Sequence, residues 1–115
     1  MNREDLLTIE RRLWTEGPDA YRRHVDEECL VAFTEMAGVW TRGQIAASVD
    51  AGPSWRDVEL DVVGWAEPEE GVAIVTYRAG AARGDERYRA LVSSAYVDRG
   101  DGPRLIFHQQ TPLAG

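Results

Sequence analysis

A chain of 115 residues with 43% hydrophobic content is the size of one domain, here 1–115, and can build one core without disulfides or a structural metal. Thirteen basic residues, all arginine, stand against twenty acidic ones and leave a net charge of −7, which repels phosphate backbones and anionic membrane surfaces, so neither nucleic acid nor membrane is an expected partner. Cys29 is the single cysteine, which excludes an internal disulfide, and the N-terminal Met-Asn-Arg-Glu-Asp lacks the apolar run of a secretory signal, so a cytoplasmic location is the expectation.

In chain order, the spacing of Leu6, Ile9 and Leu13, with Leu7 and Trp14 beside them, predicts an amphipathic helix from Asn2 to Glu16. Asn2 suits the N-cap, and Asp5 opposes the positive helix end. Gly17-Pro18 stops this helix and opens a second, Pro18 to His24. Cys29 to Glu35 is rich in strand formers, and Met36 to Trp40 reads as a turn with a short strand. Thr41-Arg-Gly-Gln44 has capping-box spacing and starts a third helix, Arg42 to Ala51, which Gly52-Pro53 closes.

From Trp55 the apolar period changes to two. Val58, Leu60 and Val62 alternate with Asp57, Glu59 and Asp61, which predicts a strand with one buried and one wet face. Val62-Val63 breaks the alternation ahead of Gly64 and Trp65, and a bulge or bend there reconciles the two halves. The strands Val72–Ala79, Tyr88–Val97 and Leu105–Thr111 follow, joined by turns at Pro68–Gly71, Gly84–Glu86 and Arg99–Pro103. Short connections between long strands demand antiparallel neighbours, hence a four-stranded meander. The expected fold is therefore α+β, a cone-shaped curved antiparallel sheet with N-terminal helices packed in its concave face and a pocket at its open end.

This order of elements resembles the nuclear transport factor 2-like superfamily, in its SnoaL-like and uncharacterised small-domain branches. Met36-Ala-Gly-Val, Thr41-Arg-Gly-Gln-Ile45, Tyr96-Val-Asp-Arg-Gly-Asp-Gly102 and Phe107-His-Gln-Gln-Thr-Pro112 carry the resemblance, which spans nearly the whole chain. It implies a homodimer formed through the outer sheet face and a small-molecule pocket inside the cone. Members include ketosteroid isomerase, scytalone dehydratase and polyketide cyclases, so fold membership alone leaves the reaction open.

His108 is the leading candidate residue. It stands in an apolar strand where Ile106, His108 and Gln110 alternate against Leu105, Phe107 and Gln109. An imidazole in an apolar cavity suits a general base, while the plainer alternative is a neutral histidine tied to a backbone group. Tyr77 and Tyr96 can each donate to a ligand or pack in the core. Ser93 and Ser94 point to opposite faces, and Ser94 is assigned to the interior. Trp14, Trp40 and Trp55 are candidate aromatic walls, with Trp65 suited to an outer face and a dimer contact.

Against these stand several plain readings. Asp57, Glu59 and Asp61 form a solvated stripe, His24 is expected to be exposed, and Cys29 is a buried small hydrophobe. The two histidines have no acids at ligand spacing, so no metal and no cofactor are expected. Asp85, Glu86, Asp98 and Asp101 all fall in turns, so no acid carries over to the base position that ketosteroid isomerase requires. The leading reading is a small apolar or aromatic ligand bound between these residues. The alternative is a cofactor-independent lyase or isomerase, of cyclase or dehydratase type, with His108 as base.

Overall fold

Asn2 opens the first helix as expected: its Oδ1 accepts from the amides of Glu4 at 2.8 Å and Asp5 at 3.2 Å. The computed structural model describes residues 1–49 and 54–114. In chain order the elements are α1 (Arg3–Thr15), α2 (Pro18–His24), β1 (Val25–Ala32), β2 (Ala37–Thr41), α3 (Arg42–Ser48), β3 (Arg56–Glu69), β4 (Val72–Arg83), β5 (Glu86–Asp98) and β6 (Pro103–Pro112). The capping box at Thr41 is complete, with Thr41 Oγ1 accepting from Gln44 and the Gln44 side chain accepting from Thr41. The expected end of this helix at Ala51 and its Gly52-Pro53 stop lie outside the described residues.

All six strands join one sheet in the order β2-β1-β6-β5-β4-β3. Strands β3 to β6 form the expected antiparallel meander. The sheet as a whole is mixed, because β1 runs parallel to β6. Short turns dictated the antiparallel expectation, and no short turn connects β1 to β6. The first strand also begins at Val25, directly after α2, rather than at Cys29, and ends at Ala32. Thr34 and Glu35 instead belong to the tight turn of the β1–β2 hairpin, closed by Phe33 N–H donating to the Met36 carbonyl at 2.7 Å.

Two bulges set which side chains face inward. In β3, Val62 pairs with Tyr77 but Gly64 pairs with Thr76, so Val63 is the extra residue. This bulge lies where the sequence requires one. It keeps Val62 and Trp65 on the same side and leaves Val63 exposed. Trp65 therefore packs against the core rather than on the outer face. In β6, Leu105 pairs with Tyr96 and Phe107 with Ala95, which makes Ile106 the extra residue. Leu105 thus shares the inner face with His108, against the simple alternation that groups Ile106 with His108.

The helices cover this inner face. Leu6, Ile9 and Leu13 of α1 pack with Val25, Val31, Tyr96 and Leu105, while Trp14 packs with Val58, Val75, Tyr77 and Val92. Each such side chain contributes about 1.5–3 kcal/mol on full burial, so the helical layer is anchored along its whole length. At the far end of the sheet, Gly71 must be glycine: its φ is +79°, and a Cβ would lie 3.0 Å from the Asp98 carbonyl oxygen.

Candidate functional site

The inward rows of the sheet place the polar residues. Val75 pairs with Ser94, Ser94 with His108 and His108 with Val31, so one row crosses β4, β5, β6 and β1. Val92 pairs with Gln110 on the next inward row. Above them lies a cavity of about 330 Å³ whose wall includes Trp14, Tyr21, Phe33, Trp55, His108 and Gln110. Glu35 and Arg83 bring charge to the same wall. A hollow of this size, mostly apolar with a few convergent polar groups, is the ordinary form of a small-molecule site.

Aromatic rings dominate one side. Trp14 meets Trp55 edge-on with centroids 6.1 Å apart, and Tyr88 completes the cluster at 5.9 Å from Trp14 and 5.6 Å from Trp55. The Arg83 guanidinium lies 4.2 Å over the Trp55 ring, a cation–π contact that holds the indole in place. Phe33, also in the wall, tilts against His108 with centroids 5.7 Å apart.

Beneath the cavity floor is a group that the sequence reading passed over. Glu10 belongs to the buried stripe of α1, one turn from Leu6, Leu13 and Trp14, and is fully buried. A carboxylate stays in such a place only when hydrogen bonds replace its water. Tyr77 Oη donates to Glu10 Oε1 at 2.6 Å, Ser94 Oγ donates to the same oxygen at 3.0 Å, and Tyr96 Oη donates to Oε2. Trp14 Nε1 in turn donates to Tyr77 Oη at 3.1 Å. Burial, reinforced by the nearby Glu10 charge, pushes both phenols well above their ordinary value, so they remain protonated donors. One signal was available in the sequence: a lone acid inside the apolar stripe of an otherwise regular amphipathic helix.

This network reassigns three candidates. Tyr77, Ser94 and Tyr96 are fully buried, are absent from the cavity wall, and spend their hydroxyls on Glu10 rather than on the hollow. Trp40 also stands apart, packed half-buried against the core beside β1. The cavity itself brings together Trp14, Trp55, His108 and Gln110. His108 Nδ1 lies 2.7 Å from Ser94 Oγ, and its Nε2 lies 3.1 Å from Gln110 Nε2. Tyr88 Oη donates to Gln110 Oε1 at 3.3 Å.

His24 is buried, not exposed, because α2 turns it under α1, and its Nε2 has no hydrogen-bond partner among the described residues. Cys29 is buried as expected, its thiol pushed up to about 12, first by burial and then by the charges of Asp26 and Glu10. Among the described residues no group of three histidine, cysteine or acidic side chains is placed to hold a metal, and no helix is long and apolar enough to cross a membrane.

Both imidazoles are held below the ordinary 6.5, His108 by burial against an opposing pull from Glu10, His24 by burial and then by Arg12 and Arg23. A histidine whose folded value is depressed binds fewer protons folded than unfolded, so its stabilising share is complete above about pH 6.5 and is lost as pH falls towards the folded value. Stability is therefore expected to drop between about pH 7.5 and pH 5.5. Urea midpoints across that window measure it, with His24→Gln flattening part of the slope. A midpoint that holds constant would contradict the neutral, buried state of both rings.

No protein-family model matches the chain, and no curated protein matches it in sequence. Solved structures do match it in shape. A nuclear transport factor 2-like protein of unknown function in nutrient uptake from Rhodospirillum rubrum superposes with a TM-score of 0.80 at 15% identity, covering 99% of this chain and 100% of its own. A ketosteroid isomerase-like protein from Parabacteroides distasonis gives 0.77 at 11% identity, covering 94% and 85%. A nuclear transport factor 2-like protein of unknown function from Shewanella oneidensis gives 0.71 at 12% identity, covering 96% and 98%. With the curved mixed sheet, the helices on its inner face and the cavity between them, the chain has the nuclear transport factor 2-like α+β fold.

Proposed function

We propose that this protein binds a small apolar or aromatic molecule in the cavity between α1 and the inner face of the sheet. The observation that carries this reading is a hollow of about 330 Å³ whose wall holds Trp14 and Trp55 together with the His108–Gln110 pair. Indole rings supply area and shape, and the imidazole and amide supply orientation. Because both tryptophans border the hollow, a bound aromatic molecule is expected to quench their emission saturably and to raise the melting temperature. Trp55→Ala is expected to weaken binding, since it removes an aromatic wall without touching Glu10. A panel of bicyclic aromatics that neither quenches nor stabilises would sink the reading.

A second reading is a cofactor-independent lyase or isomerase in which His108 acts as general base. A specific observation favours it: the ring borders the cavity, burial lowers its affinity for a proton, and it is backed by Glu10 through Ser94. Against an identified substrate, His108→Asn then abolishes turnover while binding persists.

The reading also includes a homodimer paired through the outer sheet face. Register places Val39, Leu30, Phe107, Ala95, Ile74 and Ala66 in one apolar row across all six strands. Leu30, Val39 and Ile74 in that row are large hydrophobics left exposed in the single chain.

A further inference from the structure

We propose that Glu10 and Ser94 are positioning residues that fix the proton of His108 on Nδ1, so that the cavity meets a hydrogen-bond acceptor and selects a ligand bearing an O–H or N–H donor. This deepens the binding reading above and rests on it. The argument is a count of protons along one chain of contacts. The Glu10 oxygens accept from the hydroxyls of Tyr77, Ser94 and Tyr96. Ser94 has a single hydroxyl proton and gives it to Glu10 Oε1 at 3.0 Å. The 2.7 Å contact between Ser94 Oγ and His108 Nδ1 therefore has one arrangement left, in which Nδ1–H donates.

A neutral ring protonated on Nδ1 carries its lone pair on Nε2. His108 and Gln110 border the cavity while Ser94 and Glu10 do not, so Nε2 is the edge next to the hollow. Without ligand, Gln110 Nε2–H occupies the lone pair at 3.1 Å. That amide is only half-buried, and its oxygen is held at 3.3 Å by Tyr88, so a ligand hydroxyl can take its place. A ligand presenting only acceptors there meets lone pair against lone pair and leaves the buried nitrogen unpaired.

The test has two independent arms. Long-range ¹H–¹⁵N correlation on the free protein reads the tautomer of His108 directly. Protonated Nδ1 with bare Nε2 is expected in the wild type and in Ser94→Thr, with a shift towards protonated Nε2 in Ser94→Ala. Tryptophan fluorescence then compares 2-naphthol with 2-methoxynaphthalene, which differ in the donor. Naphthol is expected to bind at least about tenfold more tightly, the worth of one hydrogen bond, and Ser94→Ala is expected to erase most of that preference.

A wild-type ring protonated on Nε2 overturns the inference whatever the ligands do. Equal affinity for the two naphthalenes overturns the donor preference and leaves the binding reading standing. If neither binds, the binding reading fails and the ligand class fails with it, while the tautomer still reports on Glu10 and Ser94.

Discussion

Glu10→Ala is expected to lower the unfolding free energy by about 3–5 kcal/mol, because it strands the buried hydroxyls of Tyr77 and Tyr96 and leaves Ser94 only His108 Nδ1 to turn to. Each unpaired buried donor costs about 1–3 kcal/mol, and relief from desolvating a carboxylate returns part of the sum. For a domain of this size the melting temperature falls by roughly 10–20 °C. The loss is large because the contacts join α1 to β4 and β5, across 67 residues to Tyr77, 84 to Ser94 and 86 to Tyr96. Glu10→Gln keeps one acceptor oxygen and is expected to fall between Ala and wild type. Urea denaturation ranks the three proteins; an alanine variant within about 1 kcal/mol of wild type would show that the network does not hold the helix.

The second large effect concerns assembly. If the chain pairs through its outer sheet face as proposed, Leu30→Asp combined with Ile74→Asp is expected to weaken self-association at least about a hundredfold. In a two-fold interface each substitution counts twice, and each apolar side chain buried there is worth about 1.5–3 kcal/mol. Both residues already face solvent in the single chain, so the fold is expected to survive and the circular dichroism spectrum to match wild type. Sedimentation velocity across a concentration series decides the matter. A wild-type protein that stays monomeric, or a double variant that still pairs, rules out the apolar row as the contact.

Local chemistry was legible in the sequence and long-range pairing was not. The caps at Asn2 and Thr41, the turns at Gly71 and Gly84, and the bulge beside Gly64 each rest on residues a few positions apart, and each is where the sequence puts it. The parallel contact of β1 with β6 depends on residues 80 or so positions apart, as Val25 pairs with Leu105, and no local signal specifies it. His108 was legible as a titratable group in an apolar strand. Its true partners were hidden, since Glu10 becomes intelligible only when distant strands bring hydroxyls to it. The sequence leaves Tyr77 and Tyr96 open between ligand and core for the same reason: a buried phenol needs an acceptor, and that acceptor, Glu10, sits 67 and 86 residues away.

The extra residue at Ile106 divides the last strand into two segments with separate duties. Three positions separate Leu105 from His108, an odd interval that an unbroken strand assigns to opposite sides, yet both point inward. The kink thus uncouples them, letting Leu105 seal the hydrophobic interior while the following residues furnish the hollow. Deleting Ile106 would leave Leu105 and His108 two positions apart, an interval that an unbroken strand keeps on one face, so both would still point inward and only the kink would be lost.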